Sequence, residues 1–237
     1  MKEHGAELAS LTCNGREYLW QADEAFWKRH SPVLFPIVGA VWNGQFRTKG
    51  ECYKMGQHGF ARDMDFQLVG KSDCEVRYRL TSSAETRAKF PYDFALEIGY
   101  RIDGKRVSVL WRVVNTGNEV LPCQSGAHPA FFWPMLNDEA IEGGVSAMAE
   151  PLKATNKRGF FKIEASGKSL PISVITEGGC VGSESVVRLD DGGFLPLDTH
   201  TFDNDALIFE NSQVTKVTLC DDDKKPYLSL EFTSPLV

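Results

Sequence analysis

The sequence predicts an all-β fold, mostly antiparallel and built as two packed sheets. Three observations predict it: long runs of period-two alternation, glycine- and aspartate-rich turns between them, and few helix starts. The runs occupy residues 74–81, 94–102 and 106–115, and shorter ones occupy 216–220 and 227–232.

Taken in chain order, DEAFWKRH (23–30) reads as a short helical turn. PVLFPIVGAVW (32–42) is apolar but carries two prolines and a glycine, so it reads as a buried, irregular segment. CEVRYRLT (74–81) sets Cys74, Val76, Tyr78 and Leu80 on one face and Glu75, Arg77 and Arg79 on the other. SSAETRAKF (82–90) offers a serine cap with Glu85 and one or two helical turns. FALEIGYRI (94–102) aligns Phe94, Leu96, Ile98, Tyr100 and Ile102. After Asp-Gly-Lys, RVSVLWRVVN (106–115) aligns Val107, Val109, Trp111 and Val113, so 94–115 reads as a β-hairpin. The region 138–193, with paired glycines at 143–144, 178–179 and 192–193, is expected to be hairpins and long connections. KVTLC (216–220) and YLSLEF (227–232) flank the acidic turn DDDKKP and read as a further hairpin. No repeat, low-complexity tract or linker divides the chain, so residues 1–237 are expected to form a single domain.

Composition narrows the function. A net charge of −6 without any basic cluster argues against nucleic acid and against anionic membranes. No apolar run approaches the ~18 residues of a spanning helix. The start, MKEHGAELAS, lacks the apolar stretch of a signal peptide, so a cytoplasmic location is expected. Six cysteines (13, 52, 74, 123, 180, 220) contain no CxxC pair; they are expected to be reduced and mostly buried.

Two of the five histidines stand out. His4 and His30 sit among charges and read as solvated, and His200 reads as a loop residue. His58 lies in QHGFARD and His128 in QSGAHPAFFWP. Ser125, Gly126 and Ala127 leave space before His128, while Phe131, Phe132 and Trp133 offer flat apolar walls after it. Such walls with a few polar anchors suit a sugar, whose ring has apolar C–H faces as well as hydroxyls. A packed core imidazole is the alternative for His128. Arg62 is either a donor to sugar hydroxyls or half of a surface ion pair with Asp63. FDNDALIF (202–209) is either a turn before a strand or a site bearing Asp205.

GAELASL, EYLWQADEAFW, PVLFPIVG, QHGFARD, GAHPAFFWP and DNDALIF, in this order, resemble the aldose 1-epimerase (galactose mutarotase-like) family, in its LacX-type branch. The resemblance spans almost the whole chain. It implies a β-supersandwich and a hexose-binding cleft, with a monosaccharide as partner and no metal or organic cofactor. It implies further that His58 contacts the sugar, that His128 protonates the ring oxygen, and that Asp205 binds sugar hydroxyls. The reaction implied is interconversion of α and β anomers; the alternative is a non-catalytic carbohydrate-binding protein. Two departures accompany it. The position of the family's sugar-binding arginine is Ala40, in GAVWNGQF. The family's catalytic base, a glutamate in a C-terminal EPW-type motif, is expected to lie after Val237, and Glu231 does not replace it. The chain is accordingly expected to lack about one strand at its start and the final segment at its end, with Leu236-Val237 still reading as strand.

Overall fold

The computed structural model describes residues 1–134, 136, 138–176 and 180–234. They fall into two compact units, Met1–Phe131 and Phe132–Val237. Every strand ladder among the described residues is antiparallel. Leu236 and Val237, and the glycines at 178–179, lie outside the described residues.

In the first unit, β1 (Thr12–Cys13) and β2 (Arg16–Glu17) form a small hairpin, and β3 (Val33–Leu34) follows a turn. Strands β4 (Gln45–Thr48) and β5 (Glu51–Lys54) form a second hairpin. Next come β6 (Gln67–Lys71), β7 (Glu75–Thr81), the helix α1 (Ala84–Arg87), β8 (Phe94–Asp103) and β9 (Arg106–Asn115). The four strands make one meander in sequence order. The last strand, β10 (Gly126–Ala127), returns to pair with β3.

The alternation explains why the meander forms. Tyr78 and Leu80 of β7 lie opposite Ile98 and Leu96 of β8, which in turn lie opposite Trp111 and Val113 of β9. Phe94, Leu96 and Ile98 are fully buried, each side chain worth about 1.5–3 kcal/mol of transfer free energy. On the other face Arg79, Glu97 and Arg112 form a cross-strand row. Arg79 Nη2 donates to Glu97 Oε1 at 2.6 Å, and Arg112 Nη1 lies 3.5 Å from the same oxygen. Hydrogen bonds from Arg79, aided by the Arg112 charge, hold the Glu97 carboxyl below the usual carboxylate range despite its burial. The predicted row continues too far at one end. Ile102 is 54% exposed and Val109 is also exposed, because this end of the hairpin runs past the core it would cover.

Ser83 does cap α1, yet its reciprocal partner is Thr86 and not Glu85: Thr86 N–H donates to Ser83 Oγ and Ser83 N–H to Thr86 Oγ1. The short helical turn expected over 23–30 is limited to residues 23–27. Ala25 N–H bonds the Asp23 carboxylate while Phe26 and Trp27 N–H bond the Asp23 carbonyl, which closes one turn and stops. His30, expected in solvent, is buried against Glu7. Glu7 Oε1 accepts from the backbone N–H groups of His30 (2.9 Å) and Ser31 (3.1 Å), and its Oε2 lies 3.3 Å from His30 Nδ1. The acid lies 23 positions away, beyond any local pattern.

The second unit begins with two helices that the sequence reading missed, α2 (Asp138–Glu142) and α3 (Gly144–Lys153). Gly143, Gly144 and Pro151 mask them, being residues that disfavour helix interiors. Strands β11 (Lys157–Ala165), β12 (Ser169–Ile175), β13 (Val181–Arg188), β14 (Phe194–Asp198), β15 (Val214–Cys220) and β16 (Pro226–Glu231) follow. β12 and β13 form a hairpin, and the others a sheet in the order β14-β11-β15-β16. The predicted hairpin of β15 and β16 is present, with Val217 opposite Leu230 and Leu219 opposite Leu228. Ile163, Leu170, Ile172, Val187, Leu189, Phe209 and Val214 form the core of this unit.

All six cysteines are free thiols, but only Cys220 is buried, while Cys52 and Cys74 are exposed. Among the described residues no helix is long and apolar enough to cross a membrane.

Candidate functional site

The loop that carries His58 is shaped by backbone constraint. His58 and Gly59 both have positive φ, +63° and +74°. The first is uncommon for a residue with a side chain. It is held by a reciprocal pair of bonds with Gly39: His58 N–H donates to the Gly39 carbonyl at 2.7 Å, and Gly39 N–H donates to His58 Nδ1 at 3.0 Å. A backbone N–H can only donate, so Nδ1 is the acceptor. The proton of the neutral ring therefore sits on Nε2, which leaves His58 a donor at that atom. At Gly59 the chain passes so close to Phe35 that a Cβ would stand 2.2 Å from the Phe35 carbonyl oxygen. Only glycine fits there.

His128 is placed by strand pairing. Gly126 and Ala127 of β10 lie opposite Leu34 and Val33, and His128 N–H donates to the Pro32 carbonyl at 3.1 Å. Ala130 N–H continues the register to the His30 carbonyl, which Glu7 anchors from the other side. The missing Cβ of Gly126 is needed for packing: it would meet Val38 Cγ2 at 3.1 Å. These constraints bring the two imidazoles together from positions 70 residues apart in the sequence, with ring centroids 5.8 Å apart and planes at 59°. On His128 there is a second ring: the Trp27 indole lies 5.3 Å away, tilted by 50°. The sequence reading passed over Trp27. Its available signal was a tryptophan within one of the motifs that carry the resemblance, EYLWQADEAFW.

Arg62 belongs to the same loop as His58. Its Nη2 donates to the Gln57 carbonyl at 2.8 Å, its Nε is buried without a hydrogen-bond acceptor, and Asp63 Oδ2 stands 3.8 Å from that Nε. Arg29 joins them, with Nη2 donating to Asp63 Oδ1 at 2.7 Å. Burial, and then the Arg29 charge, push the Arg62 guanidinium below its ordinary value, and Asp63 opposes them. Two arginines thus share one carboxylate, five residues after His58 in the chain.

The remaining expected site residues belong to the second unit. Asp205 is exposed, in a turn with φ +75° whose N–H bonds the Phe202 carbonyl at 3.0 Å. Phe132 is 4% exposed. Ala40 follows Gly39 in the first unit and brings no cation. Among the described residues no group of three or more His, Cys, Asp or Glu side chains is arranged to hold a metal ion.

Comparison with known proteins decides the family. Residues 1–154 match the family model described as aldose 1-epimerase. The chain belongs to the aldose 1-epimerase family. Within the family it is similar to the chromosomal protein LacX of Lactococcus lactis subsp. lactis, at 29% identity over 225 residues, covering 92% of this chain and 71% of LacX. Among solved structures it is similar to a galactose mutarotase related enzyme from Lactobacillus acidophilus. That match has a TM-score of 0.79 and 29% identity, over 94% of this chain and 70% of the other. A galactose mutarotase-like protein from Lactobacillus casei ATCC 334 matches with a TM-score of 0.77 and 28% identity, over 100% of this chain and 81% of the other. The fold is thus galactose mutarotase-like, and this epimerase-family member has a sugar epimerase or mutarotase type of function.

Proposed function

We propose that this protein interconverts the α and β anomers of a hexose by acid–base ring opening. The observation that carries the reading is the pair of imidazoles, His58 and His128, with centroids 5.8 Å apart. Anomer exchange begins when a base takes the proton from the C1 hydroxyl while an acid protonates the ring oxygen. The bond from C1 to the ring oxygen breaks, C1 becomes an aldehyde carbon, rotation about C1–C2 turns its other face, and closure reverses the proton movements. His128 is the acid. His58 donates through Nε2–H to a sugar oxygen, a role its bond from Gly39 prepares. In the same reading Arg62 donates to ring hydroxyls.

A second reading, action on a phosphorylated hexose, is favoured by one observation: Arg29 joins Arg62 around the single carboxylate of Asp63, leaving a positive charge in excess. The family resemblance implies a glutamate as the base at the C1 hydroxyl, and formate supplied in the buffer can act as a base there. Polarimetry on freshly dissolved α-glucose, α-galactose and a hexose 6-phosphate is expected to show acceleration beyond that of formate alone for at least one sugar. Saturable sugar binding with no acceleration in formate would replace the enzyme with a carbohydrate-binding protein.

A further inference from the structure

We propose that Trp27 is a positioning residue for His128, holding the imidazole at the angle from which it protonates the ring oxygen; this rests on the function proposed above. Strand pairing fixes the backbone of His128, but the imidazole can still turn about its two side-chain torsions. Trp27 and His58 are the rings that flank it, at 5.3 and 5.8 Å. A tilted ring pair at such a distance is an attractive geometry, and an indole is a large, flat surface with few torsions of its own.

The segment around Trp27 is built to keep the indole in place. Trp20 N–H donates to the Ala130 carbonyl at 2.9 Å, which ties the segment to the stretch just after β10 that bears His128. Trp20 Nε1 then donates to the Trp27 carbonyl at 2.8 Å, carrying that restraint to Trp27 itself. Asp23 closes the turn between them through its carboxylate and its carbonyl. Beyond Trp27, Arg29 is bonded to Asp63, a few residues after His58. The segment is therefore anchored on one side to the chain of the acid and on the other to the loop of its partner histidine. Phe26, the residue before it, is 66% exposed, whereas Trp27 is half-buried.

A displacement of about 1 Å at a reacting group can cost on the order of 10²-fold in rate. A residue that acts through His128 should therefore change the turnover rate and spare substrate affinity. In the 237-residue chain with formate, Trp27→Leu is expected to lower the rate at saturating hexose about 10-fold, with KM within about 2-fold. Trp27→Phe, which keeps an aromatic face, should recover most of the loss. Proton NMR adds a readout independent of turnover, since the His128 ring protons feel the indole ring current and should shift in Trp27→Leu. A raised KM with unchanged turnover in Trp27→Leu would make Trp27 a sugar contact and overturn the positioning role. So would full turnover in Trp27→Leu when His128→Asn has lost it, a result that leaves the proposed function standing. If no sugar is turned over by any variant, the proposed function falls and the catalytic role of Trp27 falls with it; His128 resonances unmoved in Trp27→Leu would remove the structural contact too.

Discussion

Replacing His128 by asparagine is expected to lower the formate-supported rate of anomer exchange by about 10²-fold or more, with hexose affinity changed only a few-fold. A positioned acid contributes roughly 10²–10⁴-fold, and asparagine keeps a polar group of similar reach while losing the transferable proton. The backbone bond from His128 to Pro32 does not involve the side chain, so the local fold should survive. Polarimetry over a range of sugar concentrations separates the two effects. A His128→Asn protein with undiminished rate would mean that another group protonates the ring oxygen.

The second large effect concerns stability. Gly59→Ala should destabilise the protein by about 4 kcal/mol, at the upper end of single substitutions. The added Cβ would stand 2.2 Å from the Phe35 carbonyl oxygen, 2.5 Å from its carbon and 2.7 Å from Pro36 N, all of them backbone atoms. Phe35 is itself fully buried and its carbonyl accepts from the N–H groups of both Phe60 and Ala61, so it cannot step aside cheaply. The positive φ of +74° adds strain for any side chain. In a two-state unfolding this would lower the midpoint by roughly 10 °C for a chain of this size. A thermal midpoint within a degree or two of the unaltered protein would show that the loop has room to move. Because Gly59 follows His58 directly, a variant that does fold should also bind hexose more weakly.

The elements legible in the sequence were those whose own pattern decides them. β8 and β9 carry a large apolar residue at every second position from Phe94 to Ile102 and from Val107 to Val113, and are joined by a turn with Gly104 at positive φ, so period and turn chemistry agree. Where an outcome depended on a distant partner, the local pattern misled. His30 sits among charges in the sequence, yet Glu7 makes it a buried residue. The helix α3 was hidden by glycines and a proline that act as breakers elsewhere. For the site, composition around His58 and His128 raised interest in each singly, and the family resemblance paired them. Neither could supply the bond between Gly39 N–H and His58 Nδ1, nor the indole on His128, since both arise from the crossing of loops far apart in the chain.

The central claim is that His58 and His128 serve one sugar. The most direct measurement is an NMR titration of the histidine-labelled chain with hexose, following all five imidazoles. The expected result is a single saturable response in which the His58 and His128 resonances move together while those of the exposed His4 and His200 stay in place. Saturable binding of hexose that leaves both His58 and His128 unmoved would contradict the account.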